Sequence, residues 1–558
     1  MRLAGAGLVV PRTLLARSHA GAWNGVSAPT GYDPPYPRAA LIGIGGPGSD
    51  QWFEYGGSFT YPNPATNSAS RFNMAIIGGT WEGSGTSSRK KNDLVNAIKD
   101  NSTATGGTLV FPYALAFEVT PTAPLTGWAL GGNQFNPAVS PPTDRISGTT
   151  SAYGGGYEHY ALEISTNNWW AYESGSSGSF YIDSFDETPV RTAYNYLNGA
   201  PFAGRDSFGD GPMEYFAKYV WSDLMTGVPV DSRFNWVNSF FDYATNADGV
   251  FFDLLLRNIP NSLSIVADET GAGVSGQAPH AYDGTVCDYL SAGHFQLFKT
   301  MQTLAAAAGR TIYNIGNISD YMISSGTGVA PYNMQGVLNG GVLESVIGLS
   351  NSADSGGGLD ADLARIVSRV SLPNLIILDT KYTGSQINLG GGNVIPGNLY
   401  QVMRYGLAFA LLYGVHFSLE LSSNEYDIGT NGANIQWFDE YDNAGAQKNW
   451  IGFPVAGPTG VSGGFTGAAT SVFSGLSFNL PSGVKGREFT NGFVLRNAWN
   501  GTIGQIVSAA NLGGSGVWRR INGTQAPSIN NGQLVTTSAG VSLGANSSSR
   551  DGLLLIRV

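Results

Sequence analysis

The stretch NADGVFFDL, residues 246–254, decides the fold of this chain. Asp248 and Gly249 form a turn signal, the residues from Val250 to Phe252 are apolar without alternation, and Asp253 ends the run. A continuous apolar run of this kind, bounded by turn residues, is typical of a strand covered on both faces in a parallel sheet. The stretch therefore predicts a parallel strand with a carboxylate at its C-terminal end.

Similar runs recur on both sides of this stretch and alternate with helical patterns. The apolar runs are residues 74–79, 108–113, 311–316, 342–348, 374–380 and 415–419, and the helical patterns are residues 90–100, 288–308, 360–370 and 398–413. One more strand is expected between Tyr160 and Ser184, at either 160–165 or 180–184. Eight strands, each followed by a helix, predict a closed (β/α)8 TIM barrel, with an open doubly wound sheet as the alternative.

The two ends of the chain differ from this central pattern. Residues 1–71 are rich in Gly, Pro, Ser and Asn without a sustained period, which predicts an irregular N-terminal arm that lies on the barrel or on a neighbouring subunit. After residue 442, short runs at 489–497, 504–508, 532–536 and 552–558 are separated by turn residues. They predict an antiparallel β-sandwich, with one face on the barrel and the other in solvent. The expected division is 1–71, 72–442 and 443–558.

Composition excludes several classes of partner. A net charge of −11 disfavours attraction to nucleic acid, and no apolar run approaches the roughly 20 residues of a membrane span. Cys287 is the single cysteine, so neither an intramolecular disulfide nor a zinc site of several cysteines is expected. The histidines lack metal-binding spacing, and the glycine-rich pieces lack a phosphate-binding context. No cofactor and no dedicated metal site are therefore predicted.

Four acidic residues follow predicted barrel strands at their C-terminal ends, where catalytic groups of such barrels lie. They are Asp253, Glu344, Asp379 and Glu420. Any one of them could instead cap a helix or pair with an arginine, but four at equivalent positions favour a site. Asp248, at the start of its strand, is expected to shape the turn.

Aromatic residues near predicted strand ends offer flat surfaces for sugar rings. Trp169 and Trp170 fall in one such loop, and Trp437 and Tyr441 follow the last barrel strand. A position in the core or between domains is the alternative for each. The acidic loop of residues 439–442 could bind Ca²⁺, but a solvated loop is the favoured interpretation.

Four motifs carry a resemblance to a known family. NADGVFFDL (246–254), GGVLES around Glu344, WFDEYDNAGAQKNWIGFP (437–454) and REFTNGFVLRN (487–497) together resemble the glycoside hydrolases with an α-amylase-like barrel and a C-terminal β-domain. The resemblance extends over about residues 72–558. It implies that Asp253 is the nucleophile or stabilising carboxylate and that Glu344 is the general acid/base. Asp379 and Glu420, from their strand-end positions, are expected to bind substrate.

Two functions from different classes follow. The first is a glycosidase that cleaves O-glycosidic bonds of a neutral polysaccharide with two carboxyl groups. The second is a carbohydrate-binding or structural protein of a virion or surface assembly, built on a barrel of enzymatic ancestry. The 78 glycines, about twice the average share, and the long arm suit this second hypothesis. Both predict an extracellular or virion- and surface-associated protein with a glycan as partner, and the arm could support a homo-oligomer or a larger assembly.

Overall fold

The computed structural model describes residues 32–43, 69–77, 91–102, 107–115, 118–119, 129–130, 134–135, 167, 195–196, 205–234, 244–253, 255, 266–267, 273–274, 279–282, 285–319, 332–344, 363, 366–367, 369–381, 386–390, 393–396, 399–420, 437–454, 471–473, 476–478, 480–481, 483–497, 505–513, 517–536, 540–543 and 550–558.

Eight parallel strands form one sheet whose spatial order follows the sequence. They are β1 (Ala40–Gly43), β2 (Met74–Ile77), β3 (Leu109–Leu115), β4 (Gly249–Asp253), β5 (Tyr313–Asn317), β6 (Gly340–Leu343), β7 (Ile377–Lys381) and β8 (His416–Glu420). A parallel bridge between Ala39 and Phe417 joins the first strand to the last, and the Phe417 N–H donates to the Arg38 carbonyl at 2.9 Å. The predicted eight-stranded parallel barrel is therefore confirmed.

The register shows what kind of barrel this is. In each of the seven strand pairings, the numbers of the paired residues differ by a fixed amount, and these differences add up to 370. The closing bridge joins two residues that are 378 apart. One circuit of the barrel therefore displaces the register by eight residues. Eight strands with a shear of eight are the dimensions of the TIM barrel. In such a barrel the inward side chains stack in layers of four, contributed by alternate strands.

The first strand is where the structure differs from the sequence-based expectation. β1 lies within the stretch 1–71 that was predicted to be an irregular arm, and it supplies the eighth strand of the sheet. The strand expected at 160–165 or 180–184 lies outside the described residues. β1 is only four residues long and follows the proline-rich run DPPYPR, so neither length nor alternation marked it.

The barrel interior is packed with the inward side chains of these strands. Its buried cluster comprises Ala40, Ile42, Met74, Ile76, Leu109, Phe111, Phe251, Ile315, Val342, Leu375 and Ile377. Where β1, β2 and β3 contribute two residues each, these are two positions apart, as a sheet with one face on a common core requires. A larger apolar cluster lies between the outer face of the sheet and the helices.

Four helices of at least nine residues cover the barrel in the described part of the chain. They are α1 (Lys91–Ser102), α2 (Pro212–Val220, continued by the π-helix Trp221–Thr226), α3 (Tyr289–Ala307) and α4 (Leu399–Tyr413). The predicted helices at 90–100, 288–308 and 398–413 agree with α1, α3 and α4. The helix predicted at 360–370 is described only in part, and its described helical residues are Leu363, Ile366 and Val367. None of the described helices is long and apolar enough to cross a membrane.

The remaining described elements are short. Three of them are helical: the 3₁₀ turns Ala69–Arg71 and Ser232–Phe234 and the helix α5 (Asp439–Asp442). The others are antiparallel strand pairs: Glu118–Val119 with Asn195–Tyr196, Ala129–Leu130 with Gln134–Phe135, Val266–Ala267 with Gly273–Val274, Pro279–Tyr282 with Thr285–Asp288, Gln386–Gly390 with Asn393–Pro396, and Ser471–Phe473 with Leu476–Phe478.

A separate antiparallel domain follows the barrel. Its four-stranded sheet has the order β9 (Val484–Phe489), β10 (Gly492–Asn497), β14 (Asp551–Arg557) and β12 (Trp518–Arg520), and a second pair joins β11 (Gln505–Val507) to β13 (Val541–Leu543). The run predicted as one strand at 489–497 is the turn of the β9–β10 hairpin together with β10. In the run at 532–536, Leu534 makes an isolated bridge with Arg519.

Both faces of the four-stranded sheet are buried. Leu553 and Leu555 point into the core of the C-terminal domain with Val541 of the second pair, while Leu554 packs with the barrel helices. β11 and β13 cover the second face, and their own outer side is exposed, with Ile506 66% exposed, so the sandwich has one face on the barrel and the other in solvent, as expected.

The C-terminal sheet packs tightly on α4. A Cβ atom at Gly552 would lie 2.0 Å from the Arg404 carbonyl oxygen, so only glycine fits there. The Arg404 guanidinium forms an ion pair with Asp551 at 3.1 Å, and the Arg487 guanidinium donates to the carbonyls of Leu411 and Leu412 near the end of α4. Carbonyl groups in the last turn of a helix lack intrahelical partners, so Arg487 satisfies them.

The N-terminal end of the barrel, here called the floor, is covered by other segments of the chain. The Tyr32 hydroxyl donates to the Asn73 carbonyl at 3.0 Å and lies 3.3 Å from His416 Nε2, and its ring stacks on the imidazole. The backbone of Tyr36 pairs with Gly452, which brings the segment 437–454 under the same end. The opposite end, at the C-termini of the strands, is called the mouth.

Candidate active site

Three of the predicted acids face the barrel interior at the mouth. Asp253 lies two residues after Phe251, and Asp379 lies two residues after Ile377; both apolar residues belong to the interior cluster. Glu344 follows β6 directly, two residues after the interior Val342. Because successive inward positions on a strand are two residues apart, the three carboxyl groups share the inward face at one end of the barrel.

The shear of the barrel sets their heights. Alternate strands contribute to each layer, so Asp253 on β4 and Glu344 after β6 occupy the same layer. The layer beneath is contributed by the odd strands and holds Tyr113, Asn317 and Asp379. The mouth therefore has two acids above and a third acid below, accompanied by two neutral hydrogen-bond donors.

Asp253 is held from the layer beneath. It is the last residue of β4 and is 8% exposed. The Tyr113 hydroxyl donates to Asp253 Oδ2 at 2.5 Å, and the Tyr113 ring stacks on Phe251 with centroids 5.8 Å apart. A hydroxyl–carboxylate bond of this length is in the range of charge-assisted hydrogen bonds. The orientation of the Asp253 carboxylate is thus fixed by a side chain that is itself fixed by packing.

Glu344 is held from the end of β5. The Asn317 amide nitrogen donates to Glu344 Oε2 at 2.8 Å, and the Glu344 backbone N–H donates to Ser319 Oγ at 2.9 Å. The Asn317 amide oxygen accepts from the Ser319 N–H at 3.3 Å, which sets the side of the amide that faces Glu344. The carboxyl group is half-buried and therefore combines a fixed orientation with access to solvent.

Asp379 is deeper than the other two acids. It is fully buried on β7 and lies in register with Ser418 of β8. Glu420 is the last residue of β8, where its strand position matches the layer of Asp253 and Glu344; its side chain lies outside the described part of the structure.

The structure places Trp437 and Tyr441, two of the predicted sugar-binding residues, away from the mouth. The Trp437 ring packs against Phe72 and Tyr441, each with centroids 5.2 Å away, and the Arg71 guanidinium lies over it at 4.1 Å. Phe72 precedes β2, so this cluster lies at the floor. Tyr441 is buried, so the interpretation of these two residues as a sugar platform beside the acids is corrected: they seal the end of the barrel opposite the mouth.

Trp169 and Trp170, the other predicted sugar-binding residues, lie outside the described residues. The acidic residues 439–442 are described and differ from the solvated loop that was expected. They form α5, in which Asp442 accepts from the indole N–H of Trp437 and pairs with Arg71 at 3.0 Å, and Glu440 accepts from Asn530. Their carboxylates are therefore engaged by protein donors within the fold.

Asp248 has the structural role that was expected. One oxygen forms an ion pair with Lys99 at 2.8 Å and the other accepts from the Val110 N–H at 2.8 Å, which ties α1 and β3 to the start of β4. Burial raises the pKa of this carboxyl group, and the Lys99 charge opposes that rise.

Tyr113, Asn317 and Ser319 were missed from the sequence. They are neutral, and the sequence analysis searched for acids and aromatic platforms. A usable signal was present, because Tyr113 and Asn317 each lie two residues after an interior residue, Phe111 and Ile315. Extending the period of two to the last residue of every strand would have selected them.

The mouth can support acid–base and nucleophilic chemistry at one bond. Two carboxyl groups in one layer face a common space, and each is oriented by a neutral donor that adds no charge. One carboxylate can attack or stabilise a developing cation while the other transfers a proton.

The comparisons with known proteins give similarities of structure only. No protein-family profile matches the chain, and no curated protein matches it. Among solved structures, a GH31 dextranase from Flavobacterium johnsoniae in complex with isomaltotriose aligns with 87% of this chain and 48% of its own, at 7% identity and a TM-score of 0.36. The alpha-galactosidase from Thermus thermophilus in complex with stachyose covers 70% of this chain and 62% of its own, at 12% identity and a TM-score of 0.29.

A third solved structure, the cycloalternan-degrading enzyme from Trueperella pyogenes, aligns with 94% of this chain and 58% of its own, at 10% identity and a TM-score of 0.35. The chain thus spans less than two thirds of each of these solved glycoside hydrolases. At identities of 7% to 12%, the likeness concerns the fold alone.

Proposed function

We propose that this chain is a glycoside hydrolase that cleaves O-glycosidic bonds of a neutral polysaccharide with Asp253 and Glu344. The observation that carries the proposal is the pair of carboxyl groups in one layer of the mouth, each oriented by a neutral donor from the barrel. Hydrolysis of a glycosidic bond requires two such groups on either side of the scissile bond.

The two acids have different roles. Asp253, whose carboxylate accepts a short hydrogen bond from a phenol, is suited to act as the nucleophile or as the stabiliser of the oxocarbenium-like transition state. Glu344 is more exposed and can exchange protons with the leaving oxygen and with water, so it is assigned as the general acid/base.

The charge of the protein favours a neutral substrate. The net charge is −11, and Asp253, Glu344 and Asp379 converge at the mouth, so a glycan rich in carboxylates or sulfates would be repelled. A polysaccharide outside the cell or on a surface is the corresponding partner.

A panel of neutral polysaccharides, assayed for new reducing ends, tests the proposal. Asp253→Asn removes a charge but little volume, so we expect turnover to fall by about 10³-fold or more while the fold stays intact. The turnover of Glu344→Gln is expected to fall as far on natural substrates. The variant should retain activity on aryl glycosides whose leaving groups need no proton.

Asp248→Asn is the matched control, because it changes an acid of the same barrel at the opposite end of β4. It should lower stability and leave turnover per folded molecule unchanged. Wild-type cleavage that persists in Asp253→Asn would refute the assignment. Binding of a glycan without any cleavage would favour the alternative, a carbohydrate-binding or structural component of a virion or surface assembly.

A further inference from the structure

We infer that Tyr113 is a positioning residue for Asp253, acting from the layer beneath the two acids. The inference rests on the proposed function for its kinetic consequence. The contact itself can be tested without any activity.

The first step is the geometry of the contact. The Tyr113 hydroxyl donates to Asp253 Oδ2 at 2.5 Å, between neighbouring strands whose register pairs Tyr113 with Phe251 and Leu115 with Asp253. The phenol therefore reaches past its paired residue Phe251 to Asp253, the next inward residue on β4 in the direction of the mouth.

The second step is the rigidity of the donor. The Tyr113 ring is stacked on Phe251 at an interplanar angle of 30°, and Phe251 is buried in the interior cluster. The hydroxyl group therefore has a fixed position, and the hydrogen bond transfers that position to the carboxylate. Catalytic groups must be held close to their productive geometry, because small displacements lower the rate steeply.

The third step is the contrast with the other acid. Glu344 receives its hydrogen bond from the Asn317 amide at 2.8 Å, a longer contact from a different strand. Loss of the Tyr113 hydroxyl should therefore impair the step that depends on Asp253 and leave proton transfer by Glu344 intact.

The kinetic test compares aryl glycosides with good and poor leaving groups in the full chain. Tyr113→Phe keeps the ring and removes the donor, and it is expected to lower kcat by about 10- to 100-fold with little change in KM, the range for a hydrogen bond to a charged group. The loss should be equal for both classes of leaving group. If the decrease in kcat disappears with good leaving groups, the inference is overturned, because the effect would then be located at Glu344.

Tyr313→Phe is the matched control. Tyr313 is also a tyrosine packed against the interior cluster, but it begins β5 at the floor. We expect its kcat and KM to equal those of the wild type.

A double-mutant cycle in thermal unfolding tests the contact without substrate. The shift in melting temperature caused by Tyr113→Phe should be clearly smaller in an Asp253→Asn background than in the wild type, since the charged partner is already gone. Equal shifts in both backgrounds would overturn the inference. If the wild type cleaves no glycoside, the proposed function fails, and a non-additive cycle still supports the positioning contact.

Discussion

Both ends of the barrel contain polar side chains, but these side chains have different roles at the two ends. At the floor, Tyr32 bonds to the Asn73 carbonyl and contacts His416, and the segment 437–454 runs beneath the same end. At the mouth, Tyr113 donates a hydrogen bond to Asp253 and Asn317 donates one to Glu344, both from neutral side chains of the barrel. Buried polar groups occur at both ends. The floor carboxyl groups Asp248 and Asp442 pair with Lys99 and Arg71, whereas Asp253, Glu344 and Asp379 face the barrel interior at the mouth.

This difference shows that polarity inside a barrel does not by itself mark a site. The floor cluster joins an N-terminal segment to the first residues of β2 and β8, which stabilises closure of the sheet. The mouth cluster orients acids at the C-terminal ends of strands, where the chemistry of such barrels takes place. Substitutions at the floor should therefore change stability, and those at the mouth should change turnover.

The largest effect expected at the floor is that of Trp437→Ala. The substitution removes a ring that contacts Phe72, Tyr441 and the Arg71 guanidinium, so we expect a loss of about 3 kcal/mol in the free energy of unfolding. Chemical denaturation measures this loss. Trp437→Phe keeps a ring but loses the indole N–H bond to Asp442, and it should cost about 1 kcal/mol. An unchanged stability with weaker glycan binding would return Trp437 to the site.

The next effect is a dependence of stability on pH that originates at the floor. Burial, followed by the nearby Arg38 charge, lowers the pKa of His416 well below its ordinary value of 6.5. The unfolded chain therefore takes up a proton below about pH 6.5 while the folded chain does not. Stability is fully present above that pH and should fall by up to about 1.4 kcal/mol per unit as the pH decreases.

Denaturation curves at pH 7.5 and 5.5 measure this slope, and His416→Asn is the control. The difference between the wild type and the variant isolates the histidine from the carboxyl groups that titrate in the same range. Equal slopes for the two proteins would show that His416 binds a proton in the folded state.

The smallest effect is that of Tyr32→Phe, which keeps the ring stacked on His416 and removes the hydroxyl group. Loss of the bond to the Asn73 carbonyl should cost about 1 kcal/mol in the free energy of unfolding. Turnover per folded molecule should not change. A change in kcat with no change in stability would remove the distinction between the two ends.

Much of the fold could be predicted because parallel strands leave a strong local signal. The run that ends at Asp253 and the one that contains Asp379 are continuous and apolar, and both form barrel strands. β1 was missed because four residues after a proline-rich run carry too little pattern, although the sheet supplies the pairing that stabilises it. The short strands β11 and β13, three residues each, could not be assigned to a particular sheet from the sequence.

The acids of the site could be predicted and their partners could not. Asp253 and Glu344 stand out as charges that end apolar runs. In the sequence, Tyr113 and Asn317 look like any other inward residue of a strand. Their hydrogen bonds to the acids depend on the shear of the barrel, which places residues of neighbouring strands at unequal heights. Trp437 was misplaced because it was expected to stay at the mouth, where β8 ends at Glu420, whereas its contacts with Phe72 and Arg71 are at the floor.

The fit between Gly552 and Arg404 has a consequence for how the protein is made. β14 is an inner strand of its sheet, flanked by β10 and β12, and it also packs against α4. During synthesis the ribosome completes α4 long before residues 551–557 emerge, so the apolar side of that helix stays without its cover until then. The contact between β14 and α4 therefore forms only after all eight barrel strands have been synthesised.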